Sequence, residues 1–388
     1  MKPYNVVIGQ SGGPTPVINA SLRGAVEKAA RSERIGDIFG TPNGLEGLLS
    51  GKLISLHDKL PSLERASEQP GAVLGTSRHP LIEEEYETIL RRLEQVDARV
   101  FCYIGGNGSS RTVLALHRYA QSVGKDIRFV HIPKTIDNDL EGTDHSPGYG
   151  SAAKFLSHTI QLIAADMISL RVKPRVEIIE VMGGNRGWLP AASALFKARY
   201  GFPDLVYMPD RTLDAHIFLS DVERAFSNDR SVMVVIPDHL HIEGLPRDAA
   251  TIDDPVRRHN AGVGYRTANF LSAQGGFTTR MTVPNALFRI AAGLRSRQDA
   301  EEAYRLGEAA IDFALAGYSG GMVSLSRHTD VPYRCTVDWV DLEGVAGEEK
   351  PFPSSYWNAE QHRPTQSFLD YVMPLIDNEA PDLLFRLD

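Results

Sequence analysis

The sequence predicts a doubly wound α/β protein, and three observations carry that expectation. Short apolar runs alternate with helix-like patterns. Several of the runs end in glycines, and the whole chain is long enough, at 388 residues, for two or three domains. Strands are expected at 4–9, 100–104, 127–132, 176–182, 204–208 and 231–236, where apolar and β-branched residues cluster for four to seven positions. Helices are expected at 16–30, 109–122, 151–169, 188–199 and 212–226, with a long one over 298–315. Apolar strands alternating with helices imply parallel sheets buried on both faces, with ligands at the carboxyl ends of the strands. Residues 238–262, rich in Asp, His, Pro and Arg, read as a loop or linker. Beyond about residue 330 the pattern weakens, and 343–366 has no clear period.

Composition excludes several classes of function. Lys+Arg 41 against Asp+Glu 49 leaves a formal charge of −8, so the chain offers no field for nucleic acid, and any anionic ligand must be held by local positive groups. No apolar stretch is long enough to span a membrane. The N-terminus has no apolar core before a small-residue cleavage site, so a cytoplasmic location is expected. Cys102 and Cys335 are far apart and form no CxxC pattern; Cys102 lies in the apolar run VFCYI and reads as a buried thiol.

Three glycine-rich turns follow expected strands: Gly9-Gln10-Ser11-Gly12-Gly13, Gly105-Gly106-Asn107-Gly108-Ser109 and Met182-Gly183-Gly184-Asn185-Arg186-Gly187. Glycine lets backbone approach a ligand closely, and a following helix start offers unpaired amides to an anion. A tight βα connection alone would also use glycine, so the repetition carries the phosphate-binding reading. None of the turns matches G-x-x-x-x-G-K-[ST] or G-x-G-x-x-G. The densest polar segment runs from His131 to Asp139 and contains Pro133-Lys134-Thr135-Ile136-Asp137-Asn138-Asp139. Two carboxylates beside a Lys and a Thr supply what phosphoryl transfer to an alcohol requires: a proton acceptor, a group to orient hydroxyls or a metal, and a cation to neutralise phosphate charge. The bland alternative is an Asx-rich surface turn. Residues 142–154 (GTDHSPGYGSAAK) follow as a loop opening a helix, whose Ser and Thr act as caps or anion donors.

These segments carry a resemblance. GQSGGPTPVINASLRG (9–24), VLGTSR (73–78), IGGNGSS (104–110), PKTIDNDL (133–140) and EVMGG (180–184) occur in the order and spacing of the phosphofructokinase family, in its long branch with ATP-dependent and pyrophosphate-dependent members. The resemblance implies two Rossmann-like lobes with mainly parallel sheets and the active site in the cleft between them. A donor-binding lobe would comprise 1–141 and 282–335, a sugar-phosphate lobe 142–281, and an irregular C-terminal extension 336–388. It implies Asp137 as the base on the acceptor's 1-hydroxyl, with Thr135, Lys134 and Asp139 beside it. The donor would lie over Ser11, Gly12, Gly13, Gly106, Asn107, Gly108 and Ser109, with Arg78 reaching the transferring phosphate. Arg175 and Arg266 would grip the sugar's 6-phosphate from a neighbouring subunit, and Met182-Gly183 would contact the ring. A shared site implies a homodimer or homotetramer. Magnesium is the implied cofactor, with Asn107 at the position of a family metal ligand.

Departures from the family pattern sharpen the expectations. Pyrophosphate-dependent members carry an Asp where this chain has Gly108, so ATP is the expected co-substrate, with pyrophosphate as the alternative suggested by Lys134. Asn107 replaces the usual Asp and offers the metal an oxygen without charge. In the acceptor pocket Gly184 replaces an Arg, with Arg186 two positions later. Asp238 replaces a Glu, and Ser272 and Gly275 replace a His and an Arg, with Arg280 as a nearby substitute. The acceptor is therefore fructose 6-phosphate or a related phosphosugar. A catalytically silent sugar-phosphate sensor is the reading outside enzymes, opposed by the intact TIDND segment. His131, His145 and His239 read as loop histidines without metal spacing, and Trp188 and Trp357 as packing residues.

Overall fold

The computed structural model describes residues 3–170, 173–210, 212–226, 230–245 and 262–383. In chain order, the strands of its two main sheets are β1 (Tyr4–Gln10), β2 (Ile35–Thr41), β3 (Ile54–Ser55), β4 (Ala98–Gly105), β5 (Arg128–Pro133), β6 (Val176–Val181), β7 (Leu205–Val206), β8 (Val232–Pro237), β9 (Thr279–Thr282), β10 (Gly321–Asp330) and β11 (Tyr333–Asp341). The longer helices are α1 (Ile18–Ala30), α2 (Tyr86–Gln95), α3 (Asn107–Ser122), α4 (Tyr149–Ser169), α5 (Ala215–Ala225), α6 (Val263–Gly275) and α7 (Arg297–Ala316). The chain divides into one compact unit of Met1–Ala152, Arg289–Lys350 and Pro374–Asp377, and a second of Ala153–Phe288, Pro351–Met373 and Asn378–Asp388.

The first unit is built on a seven-stranded sheet in the order β11-β10-β5-β4-β1-β2-β3. The pairs from β10 through β2 are parallel; β3 and β11 pair antiparallel at the two edges. Strands β1 and β4 read as unbroken apolar runs because both faces are covered. Val6, Ile8, Val100, Cys102 and Ile104 face a core made with α1 and α7, whereas Val7, Phe101 and Tyr103 face one made with α2 and α3. The chain leaves β1 to one side for β2 and to the other for β4, so the order reverses between β1 and β4. In open parallel sheets that reversal splays two loops apart and leaves a crevice at the carboxyl ends.

The second unit holds a four-stranded parallel sheet in the order β9-β6-β8-β7. Its C-terminal segment carries the short helix Gln366–Val372. Phe352, Tyr356 and Tyr371 surround Trp188 with ring centroids 5.1, 6.1 and 5.4 Å away, which places Trp188 in packing.

Several elements differ from the sequence expectation. The helix expected at 188–199 is two short pieces, Trp188–Ala192 and Lys197–Tyr200. The one expected at 212–226 begins at Ala215, where Asp214 caps it by accepting from the His216 and Ile217 amides. The hairpin of β10 and β11 was not expected; its second strand crosses residue 336, where an irregular extension was anticipated. Residues 142–152 cluster with the first unit because the Asp299 carboxylate accepts from the Gly148 and Ser151 amides, each at 2.9 Å. Of the loop expected at 238–262, residues 246–261 lie outside the described residues, and Ile242–Glu243 forms a short strand.

Helices α1 and α7 cross at two glycines. A Cβ on Gly24 would sit 2.1 Å from the Tyr304 carbonyl oxygen, and one on Gly307 the same distance from that of Ser21. Gly307→Ala therefore forces the helices apart and costs about 1–3 kcal/mol. Gly293→Ala, where a Cβ meets nothing within 4 Å, leaves stability unchanged. Urea denaturation of the two variants beside the wild type checks this, and equal midpoints for all three would refute it.

Candidate active site

The crevice of the first unit is lined by the ends of three neighbouring strands. Gln10 pairs with Ile104, and Gly105 with Pro133, so the turns after β1, β4 and β5 emerge side by side. Ser11 donates its amide to Ile104 O at 2.9 Å, and Gly12 turns with φ +70°, a conformation that favours glycine. Helix α3 starts at Asn107, immediately after the extended Gly106, so the positive end of its dipole faces the crevice. A Cβ at Gly108 would meet nothing within 4 Å.

Lys134 joins these turns. Its amide donates to Gly105 O at 2.9 Å and its Nζ to Gly13 O at 2.7 Å. The residue is buried, and burial pushes its ammonium down to about 8. Asp137 opposes that shift, while Arg78 and Arg289 add to it.

The Asp137-Asn138-Asp139 turn is held from within. The Thr135 hydroxyl accepts from the Asp137 amide at 3.1 Å, and Asn138, at φ +56°, accepts from the Ser146 amide at 3.0 Å. Asn tolerates this left-handed conformation better than other non-glycine residues do. Lys350 braces the turn from outside, donating its amide to Asp139 O at 2.8 Å and its Nζ to Thr143 O at 3.2 Å. Burial raises the Asp139 carboxyl to about 6, with Asp137 adding to the shift. Asn107 Nδ2 donates to Asp139 Oδ2 at 3.0 Å, and among the described residues the buried Asn107 Oδ1 has no hydrogen-bond partner.

A cavity of about 650 Å³ opens over this arrangement. Ser11, Gly12, Gly13, Arg78, Gly106, Asn107, Gly108, Ser109, Lys134, Thr135, Asp137 and Asp139 all line it, so residues chosen from four separate motifs converge. Arg111, His79 and Glu349 also line it and were not anticipated. Glu349 comes from the stretch without periodicity, where nothing in the sequence marks it.

The expected acceptor residues lie in the second unit. Met182-Gly183 follow β6, and Asp238 follows β8 with its amide on Val181 O at 2.9 Å. Burial raises the Asp238 carboxyl, and nearby Glu180 adds to the shift. Arg186 is half-buried, and Arg266 NH2 donates to Leu245 O at 3.3 Å. Arg175 precedes β6, so the length of the strand, roughly 20 Å, separates it from Met182. Its Nε meets Glu177 Oε2 at 3.2 Å, with 8% and 2% of the two side chains exposed. Asp166 Oδ2 lies 3.5 Å from both Arg175 and Arg280. Gly184 brings no charge, Ser272 bonds Thr279 at 3.0 Å, and a Cβ on Gly275 would lie 2.4 Å from Phe277.

Glycine-lined strand ends, a helix N-terminus, a buried lysine and paired carboxylates define an α/β phosphotransferase. The phosphofructokinase family model matches residues 5–314, and the chain belongs to that family. The pyrophosphate–fructose 6-phosphate 1-phosphotransferase of Halomonas elongata is 31% identical over 98% of this chain and 93% of its own length. A sulfofructose kinase of Alkalicoccus urumqiensis is 30% identical over 95% of this chain and 96% of its own. The crystal structure of pyrophosphate-dependent phosphofructokinase from Marinobacter aquaeolei superposes with a TM-score of 0.85 at 30% identity, covering 97% and 92% of the two chains. The preference for ATP read from Gly108 has no support in these relatives. Space at Gly108 removes an obstacle to a nucleotide without attracting one, whereas Lys134 attracts any polyphosphate. Among the described residues no helix is long and apolar enough to cross a membrane.

Because the Lys134 ammonium gives up its proton near pH 8, the KM for the phosphate donor is expected to climb as pH rises through that value. In Lys134→Met the KM is already high and this limb is lost. Initial rates between pH 6.5 and 9.5 test the point, and a variant with the wild-type pH profile would sink it.

Proposed function

We propose that this chain transfers a phosphoryl group from pyrophosphate to the 1-hydroxyl of fructose 6-phosphate or a close analogue. The observation that carries this reading is the convergence of Lys134, Arg78, the Gly12-Gly13 loop and Asp137 on one cavity. A compact cluster of cations and backbone amides suits a short, highly charged donor.

The Asp137 carboxylate takes the proton of the 1-hydroxyl as that oxygen attacks the near phosphorus of the donor. The bridging P–O bond breaks in line, and inorganic phosphate leaves with the bond's electron pair. Lys134, Arg78 and the amides after β1 and β4 neutralise the charge that gathers on the departing oxygen. Thr135 holds the Asp137 backbone in place. Asn107 and Asp139 would hold a magnesium ion: among the described residues, Asn107 Oδ1 is a buried acceptor without a partner, and Asp139 lies next to it. Among the described residues no trio of His, Cys, Asp or Glu forms a closed site, which suits an ion that takes its remaining oxygens from phosphates and water. Held there, the ion would supply positive charge to offset that of the donor.

Arg175 and Met182 sit at opposite ends of β6, too far apart for one small sugar phosphate. The acceptor site is therefore completed by Arg175 and Arg266 of a neighbouring copy, in a homodimer or homotetramer. An active monomer in analytical ultracentrifugation would overturn this.

A second reading concerns the acceptor's charge. Glu177 and Asp166 already engage Arg175, and Gly184, Ser272 and Gly275 bring no charge of their own. Such a pocket suits a monoanionic 6-substituent better than a phosphate dianion, and the similarity to a sulfofructose kinase supports a 6-sulfonate.

Mass spectrometry of products from each pairing of pyrophosphate or ATP with fructose 6-phosphate or 6-deoxy-6-sulfofructose separates these readings. Pyrophosphate is expected to give the 1-phosphorylated product, and Asp137→Asn to lose roughly 10²- to 10⁴-fold in turnover. Gly108→Asp is expected to retain pyrophosphate-driven turnover. Product formed with ATP alone, and abolished by Gly108→Asp, would reverse the donor assignment.

A further inference from the structure

Arg289 stands apart from every motif in the sequence, at the third position of the short helix Leu287–Ile290. The fold nevertheless brings it against the first glycine turn. Its NH1 and Cδ lie 3.3 and 3.4 Å from the place a Cβ on Gly13 would occupy, so the side chain fills the space beside that glycine. Lys134 Nζ lies 3.4 Å from the corresponding position on Gly12 and donates to the Gly13 carbonyl at 2.7 Å. Two cations thus flank two successive glycines.

The guanidinium is incompletely satisfied. Its Nε is buried and has no hydrogen-bond partner among the described residues. Leaving a buried charged donor unpaired is costly, so the group is matched to a partner that arrives with the ligand or to a charge it serves at short range. A side chain at residue 13 would crowd the guanidinium.

We infer that Arg289 is a positioning residue of the phosphate-donor site, holding the Gly12-Gly13 turn from the side opposite Lys134 and adding positive charge beneath the donor's phosphates. The inference rests on the reading of this cavity as the donor site and holds for either donor. Its effect on Lys134 is consistent: the two charges repel, and Arg289 helps to hold the ammonium below its ordinary range.

Calorimetric titration with methylenediphosphonate, a pyrophosphate analogue that cannot be cleaved, tests the inference on the full chain. Arg289→Gln is expected to weaken binding by at least about tenfold, the low end for losing one charge-assisted contact, and Arg289→Lys to recover most of it. In steady state the donor KM rises by a similar factor while the acceptor KM stays within about twofold, a split that general loss of structure would not produce. Should the glutamine variant fail to fold, arginine modification of the wild type by phenylglyoxal replaces it. Peptide mapping is then expected to find Arg289 protected by the bound analogue. Unchanged binding in Arg289→Gln, or equal labelling with and without the analogue, would overturn the inference. If the wild type ignores methylenediphosphonate and binds ATP instead, the pyrophosphate reading fails while Arg289 is judged by the same titration with a non-hydrolysable ATP analogue.

Discussion

The hydrogen bond from Lys134 Nζ to the Gly13 carbonyl is the contact on which the candidate site depends. It ties the turn after β1 to the turn after β5, while the Lys134 amide, on Gly105 O, ties the latter to the turn after β4. One residue therefore fixes the relative positions of three strand ends at the point where the sheet order reverses. Its burial has a second consequence. A cation removed from water is more responsive to an incoming anion, because less hydration must be stripped away when the two meet. The cost of keeping it there is borne by the sheet, whose covered faces supply a rigid frame.

The carboxylate side of the cavity follows a different logic. Asp137 and Asp139 are two positions apart, in the turn that follows β5. Asn138 makes that turn in a left-handed conformation, and its side chain is anchored on the Ser146 amide. The PKTIDND segment thus has a structural residue between two chemical ones. Asn107 and Asp139 share a hydrogen bond that keeps one carboxylate oxygen engaged and, among the described residues, leaves the Asn107 amide oxygen without a partner.

Much of this was legible in the sequence, for physical reasons that also explain the omissions. Strands β1, β4, β5, β6 and β8 are covered on both faces, so their apolar runs stand out. Strand β2 was missed because Gly36 and Gly40 interrupt it; those glycines admit the Asn5 and Leu74 side chains, respectively, against its backbone. The hairpin strand β11 was missed although it alternates Tyr333, Cys335, Val337 and Trp339 with polar residues, the period of a strand with one face turned outward. Residues on the glycine turns and in PKTIDND could be chosen because their motifs are local. Arg289 and Glu349 reach the same region from distant segments without periodicity, and only the fold reveals them. The acceptor side was legible as a set of missing charges. That Glu177 occupies Arg175 could be seen only once the side chains were placed.

The most direct test of the central claim is the phosphorus NMR spectrum of pyrophosphate bound to the Asp137→Asn protein, which keeps the cavity and removes the proposed base. If Lys134 and the glycine turns hold one end of the donor while the other faces residue 137, the two phosphorus atoms become inequivalent and give separate resonances. Adding Lys134→Met returns them to the single line of free pyrophosphate. A single unshifted line with Lys134 present, or two resonances that survive its replacement, would contradict the account.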